Sequence, residues 1–132
     1  MAVTSGELLK RFGMPSTYLH RWREEGFILP EMTAARRDLG AVWPDWTVRM
    51  VALLRATAGS WPFSEPRDGL RRREALCLVA DVLAAHPAVP WVVLTGDGIA
   101  IPCWTAEDVA TLHQGRICTT VIAIPSLEQA CQ

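Results

Sequence analysis

Residues 6–28 read GELLKRFGMPSTYLHRWREEGFI, and the placing of glycines and apolar residues in that stretch decides the fold. Thr4 or Ser5 caps a short helix running to about Arg11, with Glu7 in the first turn where the helix dipole favours an acid. Leu8, Leu9 and Phe12 supply its buried side. Gly13 then takes the positive φ that ends a helix. Pro15 or Ser16 starts a second helix, since proline suits the first helical position and Ser16 suits a cap. It runs to Glu25, carries Leu19 and Trp22 on one face, and is closed by Gly26. Two short helices joined by a tight glycine-containing turn make a helix-turn-helix.

Downstream, Phe27, Ile28 and Leu29 precede Pro30 and an irregular stretch with Arg36, Arg37 and Gly40, and Val42 and Trp43 follow. A loop with two arginines and a glycine between two short apolar segments reads as a small β wing. Pro44-Asp45 opens a third helix, along which Val48, Val51, Ala52 and Arg55 fall, with Met50, Leu53 and Leu54 widening the apolar side. Residues 59–69, GSWPFSEPRDG, hold two glycines, two prolines and two serines and punctuate the chain. Beyond them Asp68 or Gly69 opens a helix to about Ala85, with Leu76, Val79, Val82 and Leu83 buried, and His86-Pro87 ends it. Trp91–Leu94 and Ile99–Ile101 form a hairpin about Gly96-Asp97-Gly98. Thr105 caps a helix that Gly115 stops, and Ile117–Ile124 is a last, β-branched strand. The expected fold class is therefore α+β: a winged helix-turn-helix over 1–58, a linker over 59–69, and a small unit of helix, β-hairpin, helix and strand over 70–132.

Composition narrows the function. The chain has 132 residues, half of them hydrophobic, enough apolar material for a core and too much for a disordered protein. Thirteen basic residues against fourteen acidic ones give a net charge of -1, so the whole chain is no polybasic coat for nucleic acid or membrane. The balance conceals an asymmetry: residues 1–58 carry +2 and residues 59–132 carry -3. Only Lys10 among the basic residues is not arginine, which favours rigid bidentate contacts. No apolar run approaches the roughly 18–20 residues of a membrane span, and Met1–Lys10 lacks the layout of a secretory signal. Cys77, Cys103, Cys118 and Cys131 are never closer than thirteen residues apart, which disfavours a zinc ribbon and suits thiols kept reduced in a cytoplasm. The reading is of a cytoplasmic protein with no cofactor, no metal and no membrane partner.

Gly6-Glu7-Leu8-Leu9-Lys10-Arg11-Phe12-Gly13, then Leu19, then Trp22-Arg23-Glu24-Glu25-Gly26-Phe27-Ile28, resemble the winged helix-turn-helix of MerR-type regulators and of the related phage excisionases and BldC-like proteins. The run Arg37 to Leu53 also fits that pattern, so the resemblance covers about residues 4–57. The chain departs from it at Thr17, where the family usually has an arginine, and at Gly40-Ala41-Val42-Trp43, where the wing usually ends in an arginine–aromatic pair. The long dimerisation helix of full-length MerR regulators is absent, so the resemblance implies the DNA-binding module alone and not effector sensing.

What it implies is a reader of double-stranded DNA, with the second helix in the major groove. Leu19 and Trp22 face inward, leaving Ser16, Thr17, Tyr18, His20, Arg21 and Arg23 outward. Ser16 and Thr17 lie where free backbone N–H groups favour a phosphate, and Arg21 suits bidentate pairing with guanine. Arg36 and Arg37 would grip the backbone or enter the minor groove, and Lys10 and Arg11 would steady the first helix. Such a head, only mildly basic, implies a homodimer or an array on DNA, joined through the C-terminal unit, in a transcription regulator or an architectural factor of the excisionase kind. The competing reading is a protein-interaction adaptor that kept the winged helix without DNA.

Other features take plainer roles. Trp22, Trp43 and Trp46 stand where the winged fold needs core residues, which outweighs a base-stacking role. Arg71, Arg72 and Arg73 read as solvated or paired with nearby acids. Gly96-Asp97-Gly98 lacks the Lys-Ser/Thr of a phosphate loop. His20, His86 and His113 scatter without a nucleophile, so no enzyme is expected. Cys103 and Cys118, if adjacent in the sheet, would make a thiol sensor, but buried cysteine is commonly a small hydrophobe. An exposed apolar sheet or edge strand in the C-terminal unit suits self-association or partner docking.

Overall fold

The computed structural model describes residues 2–30, 42–56, 72–95, 98–114 and 118–127. It is a mixed helix-and-strand protein. In chain order the elements are β1 (Ala2–Thr4), α1 (Ser5–Phe12), α2 (Ser16–Glu25), β2 (Val42–Pro44), α3 (Trp46–Ala56), α4 (Arg72–Ala85), β3 (Trp91–Thr95), β4 (Ala100–Cys103), α5 (Ala106–Gln114) and β5 (Cys118–Ala123).

Local chemistry accounts for the ends of the first two helices. Thr4 caps α1, its Oγ1 accepting from the Glu7 N–H at 3.2 Å. Gly13 ends α1 at φ 58°, a left-handed conformation that costs a residue with a Cβ. Gly26, at φ 83°, ends α2, and the Phe27 N–H behind it donates to the Trp22 carbonyl at 2.9 Å. Helix α2 starts at Ser16, one of the two expected positions, but the cap is Pro15 and not Ser16, in extended conformation with no side-chain bond. The rigid ring of Pro15 sets that entry, and its carbonyl accepts from the Tyr18 N–H at 3.2 Å.

The strand Val42–Pro44 also has an unexpected partner. It pairs antiparallel with the N-terminal β1, Val3 opposite Trp43, while Phe27 and Ile28 enter no strand and are fully buried. The pairing is fastened by the Trp43 indole N–H, which donates to Ser5 Oγ at 2.8 Å. The wing loop, residues 31–41, and the linker, 59–69, lie outside the described residues.

Helix α3 is buried almost all round, from Trp46 through Val51 and again at Leu53 and Leu54. A helix without a polar face belongs at a centre. It packs on α4, whose Leu76, Val79 and Leu83 are fully buried and whose Val82 is buried beside them. Beyond α4 stands a three-stranded antiparallel sheet in the order β4-β3-β5. Val92, Leu94, Ile122 and Ile124 join the α4 side of the core. Val93 and Cys103, on the opposite face by register, are also fully buried. Helix α5 joins the two outer strands and touches both; with one face taken by α4, it lies over the other. Its start is capped reciprocally: the Asp108 N–H donates to Thr105 Oγ1 at 3.1 Å, and Asp108 Oδ2 accepts the Thr105 N–H at 3.1 Å.

The register corrects one expectation. Cys103 lies opposite Trp91 on β4, and Cys118 lies opposite Thr95 on β5. With β3 between them and the two positions at opposite ends of it, they are not neighbours.

The buried apolar residues before and after the 59–69 stretch belong to one cluster, running from Leu8 to Ile124. A buried cation crosses that junction. Arg49 of α3 is only 5% exposed. Its Nε donates to the Pro125 carbonyl at 2.8 Å, Nη1 to Pro87 at 2.6 Å, and Nη2 to Val89 at 2.7 Å and Ile124 at 3.4 Å. Burial pushes the guanidinium below its ordinary pKa, but four carbonyl dipoles solvate the charge in place of water. Among the described residues no helix is long and apolar enough to cross a membrane.

Candidate nucleic-acid interface

The α1–turn–α2 unit is organised by one buried stripe. Leu8 of α1, Met14 of the turn, and Leu19 and Trp22 of α2 are all buried in the core. Burying Leu19 and Trp22 fixes the rotation of α2, because residues three apart share a face. What remains outward is then determined. Ser16, Thr17, Tyr18, His20, Arg21 and Arg23 are all exposed, as are Lys10 and Arg11 in the last turn of α1.

Those side chains are not equivalent. Opposite the Leu19–Trp22 stripe, at offsets of three, four and seven, lies a ridge of Thr17, His20, Arg21 and Glu24, each exposed. Glu24 was not among the residues expected at the interface. A carboxylate there adds an acceptor of hydrogen bonds and a negative charge to a ridge otherwise neutral or basic. The signal was present in the helical spacing from Thr17. Ser16, Tyr18 and Arg23 stand on the flanks. Tyr18 leans back on Trp22, with ring centroids 5.6 Å apart and planes 36° apart, while remaining 44% exposed.

The first turn of α2 has no side-chain cap, and no acid stands in it. The Tyr18 N–H there turns back to the Pro15 carbonyl, and a helix start without a side-chain cap or an acid is the kind of end that favours an anion. Charge in the helix pair is mixed: Lys10, Arg11, Arg21 and Arg23 against Glu7, Glu24 and Glu25. Arg36 and Arg37 lie outside the described residues, so their position relative to α2 is not part of this geometry. Trp22, Trp43 and Trp46 are buried in the core, as expected.

The C-terminal unit presents a different surface. Among the described residues Ile99, Trp104, Val121 and Leu127 are its exposed large apolar side chains, and the rings of Trp104 and His86 meet in a T, their centroids 6.0 Å apart. Cys77 is half-buried, donating from Sγ to the Glu25 carbonyl at the end of α2 over 3.2 Å. Burial pushes its thiol pKa up; Arg73 opposes that, and Asp81 and Glu25 add to it. A thiol held protonated in this way is a poor nucleophile. Among the described residues no group of three or more His, Cys, Asp and Glu side chains is arranged to hold a metal ion.

No family model matches the chain, and neither a curated protein nor a solved structure matches it.

Proposed function

We propose that the protein binds double-stranded DNA with sequence preference, through a winged helix-turn-helix, as a bacterial or phage transcription regulator or architectural factor. One observation carries this reading: α2 is locked by Leu19 and Trp22 so that its whole outer ridge, Thr17, His20, Arg21 and Glu24, is exposed on a short helix that follows a three-residue turn. In this reading the ridge enters the major groove. Arg21 pairs with guanine and Glu24 with cytosine, discriminations worth about 1–3 kcal/mol per good pair. The uncapped N-terminus of α2 and Lys10 and Arg11 hold phosphates, and the 31–42 wing with Arg36 and Arg37 adds backbone or minor-groove contacts. The protein works in the cytoplasm, and the exposed apolar residues of the C-terminal unit join two copies, which doubles the phosphate contacts of a mildly basic head.

Selection of bound duplexes from a random pool tests the reading. An enriched motif is expected, with affinity falling as salt rises. Arg21→Ala should relax preference at one position, whereas Lys10→Ala should weaken all sequences evenly. Failure to enrich any motif, or binding indifferent to salt, sinks it.

A second reading, an interaction adaptor with the winged helix retained, is favoured by the exposure of Ile99, Trp104 and Val121 together with the mixed charge of α1 and α2. A stable protein complex that survives nuclease treatment, with no DNA motif enriched, would select it.

A further inference from the structure

A cavity of about 370 Å³ opens beside the helix-turn-helix turn, lined among the described residues by Gly13, Met14, Pro15, Tyr18, Trp22 and Arg55. Its size falls in the roughly 300–1,000 Å³ range of small-molecule sites. The described lining comes from three parts of the chain: the α1–α2 turn, one flank of α2, and the last turn of α3, which supplies Arg55. The chemistry of this wall is uneven. Tyr18 and Trp22 give a tilted pair of aromatic rings, Met14 and Pro15 give apolar surface, and the one ionised group among these residues is the Arg55 guanidinium. Gly13 contributes only main chain, and a Cβ built on it would meet nothing within 4 Å, so the mouth at the turn is open.

We propose that this cavity binds a small planar aromatic carboxylate. The ring would lie against Tyr18 and Trp22, where flat apolar surface and ring-edge contacts are available, and the carboxylate would take the two-pronged Arg55 guanidinium. An aliphatic acid uses only the second half of that wall, and a neutral aromatic only the first. The buried ring of Trp22 is held by the core and needs no rearrangement to form the floor, whereas Tyr18 and Arg55, both exposed, can adjust to the ligand. The assignment concerns a different surface from the outer ridge of α2, and it stands whether or not that ridge reads DNA.

The test is titration of the full-length protein with 1-naphthoate, 1-naphthamide and cyclohexanecarboxylate, followed by amide chemical shifts in NMR spectra. Naphthoate is expected to shift the amides of Gly13, Tyr18 and Arg55, and to bind roughly tenfold tighter than either comparison compound, the gain of one solvent-exposed charge-assisted contact. Arg55→Gln, at an exposed position that leaves the core intact, should bring naphthoate down to the affinity of naphthamide while leaving naphthamide binding unchanged. Tyr18→Leu should weaken naphthoate and naphthamide alike. Equal binding of naphthoate and naphthamide by the native protein overturns the proposal. So do unchanged naphthoate affinity in Arg55→Gln, shifts confined to another surface, and no shifts at millimolar ligand.

Discussion

Arg49 is a buried charge whose partners are four main-chain carbonyls drawn from two separate segments, 87–89 and 124–125. Removing it leaves those carbonyls short of donors in the interior and opens a void beneath them. Arg49→Ala should therefore cost about 3–5 kcal/mol in urea unfolding. Arg49→Lys should recover only part, since an ammonium has no planar fork to reach four acceptors in two directions. Cys77 supplies a smaller, pH-dependent contribution. Its folded-state pKa is raised above its unfolded value, so the thiol form and its bond to the Glu25 carbonyl stabilise the fold fully below the unfolded value, about 8.5, and that contribution fades as pH rises through the folded value. Unfolding free energies measured across about pH 7 to 10.5 should show the native protein losing its advantage over Cys77→Ala on the alkaline side. A constant difference would mean that the thiol does not titrate differently in the two states.

At the scale of elements, the helix ends are decided within a few residues. Gly13 is held at φ 58° with open space where a Cβ would go, so the cost of Gly13→Ala is backbone strain alone, about 1 kcal/mol, and Gly13→Asn should cost less. Thermal unfolding of the two variants checks the order. This locality is why so many boundaries were legible in the sequence: Thr4, Gly13, Gly26 and the Thr105–Asp108 pair act on their own neighbours. Strand β1 was not legible, because three residues are too few for an alternating pattern and its partner, Val42–Pro44, lies some forty residues away. The same distinction divides the candidate site. Leu19 and Trp22 orient α2 through local spacing, and that much could be read directly. Arg55 reaches the turn from α3, and only tertiary packing brings the two together. Asp45 and Trp46 illustrate a middle case, where the start of α3 could be placed but not its burial on nearly every side.

For the whole molecule, the continuous cluster from Leu8 to Ile124 implies shared stability. Unfolding should be a single transition, with far-ultraviolet circular dichroism and tryptophan fluorescence coinciding. Of the six tryptophans, Trp22, Trp43 and Trp46 stand in the first half, Trp91 and Trp104 in the second, and Trp61 in the 59–69 stretch between them, so two independent units would separate in fluorescence even where helix content did not. The Pro- and Gly-rich stretch at 59–69 and the change of charge across it read as a boundary because composition reports chain punctuation. Which side chains pack across a boundary depends on three-dimensional contacts that composition does not encode. The Arg49 junction also bears on how the chain tolerates change. Its acceptors are peptide oxygens, which every amino acid possesses, so replacing the side chains at 87, 89, 124 or 125 leaves the acceptors in place wherever the backbone path is kept. A side-chain scan of those four positions would report the core packing of Val89 and Ile124 and the backbone constraint of Pro87 and Pro125 but not the junction itself, whereas one replacement at 49 would expose it. Sequence drift on the receiving side is thereby decoupled from the joint, and its specificity rests on one codon.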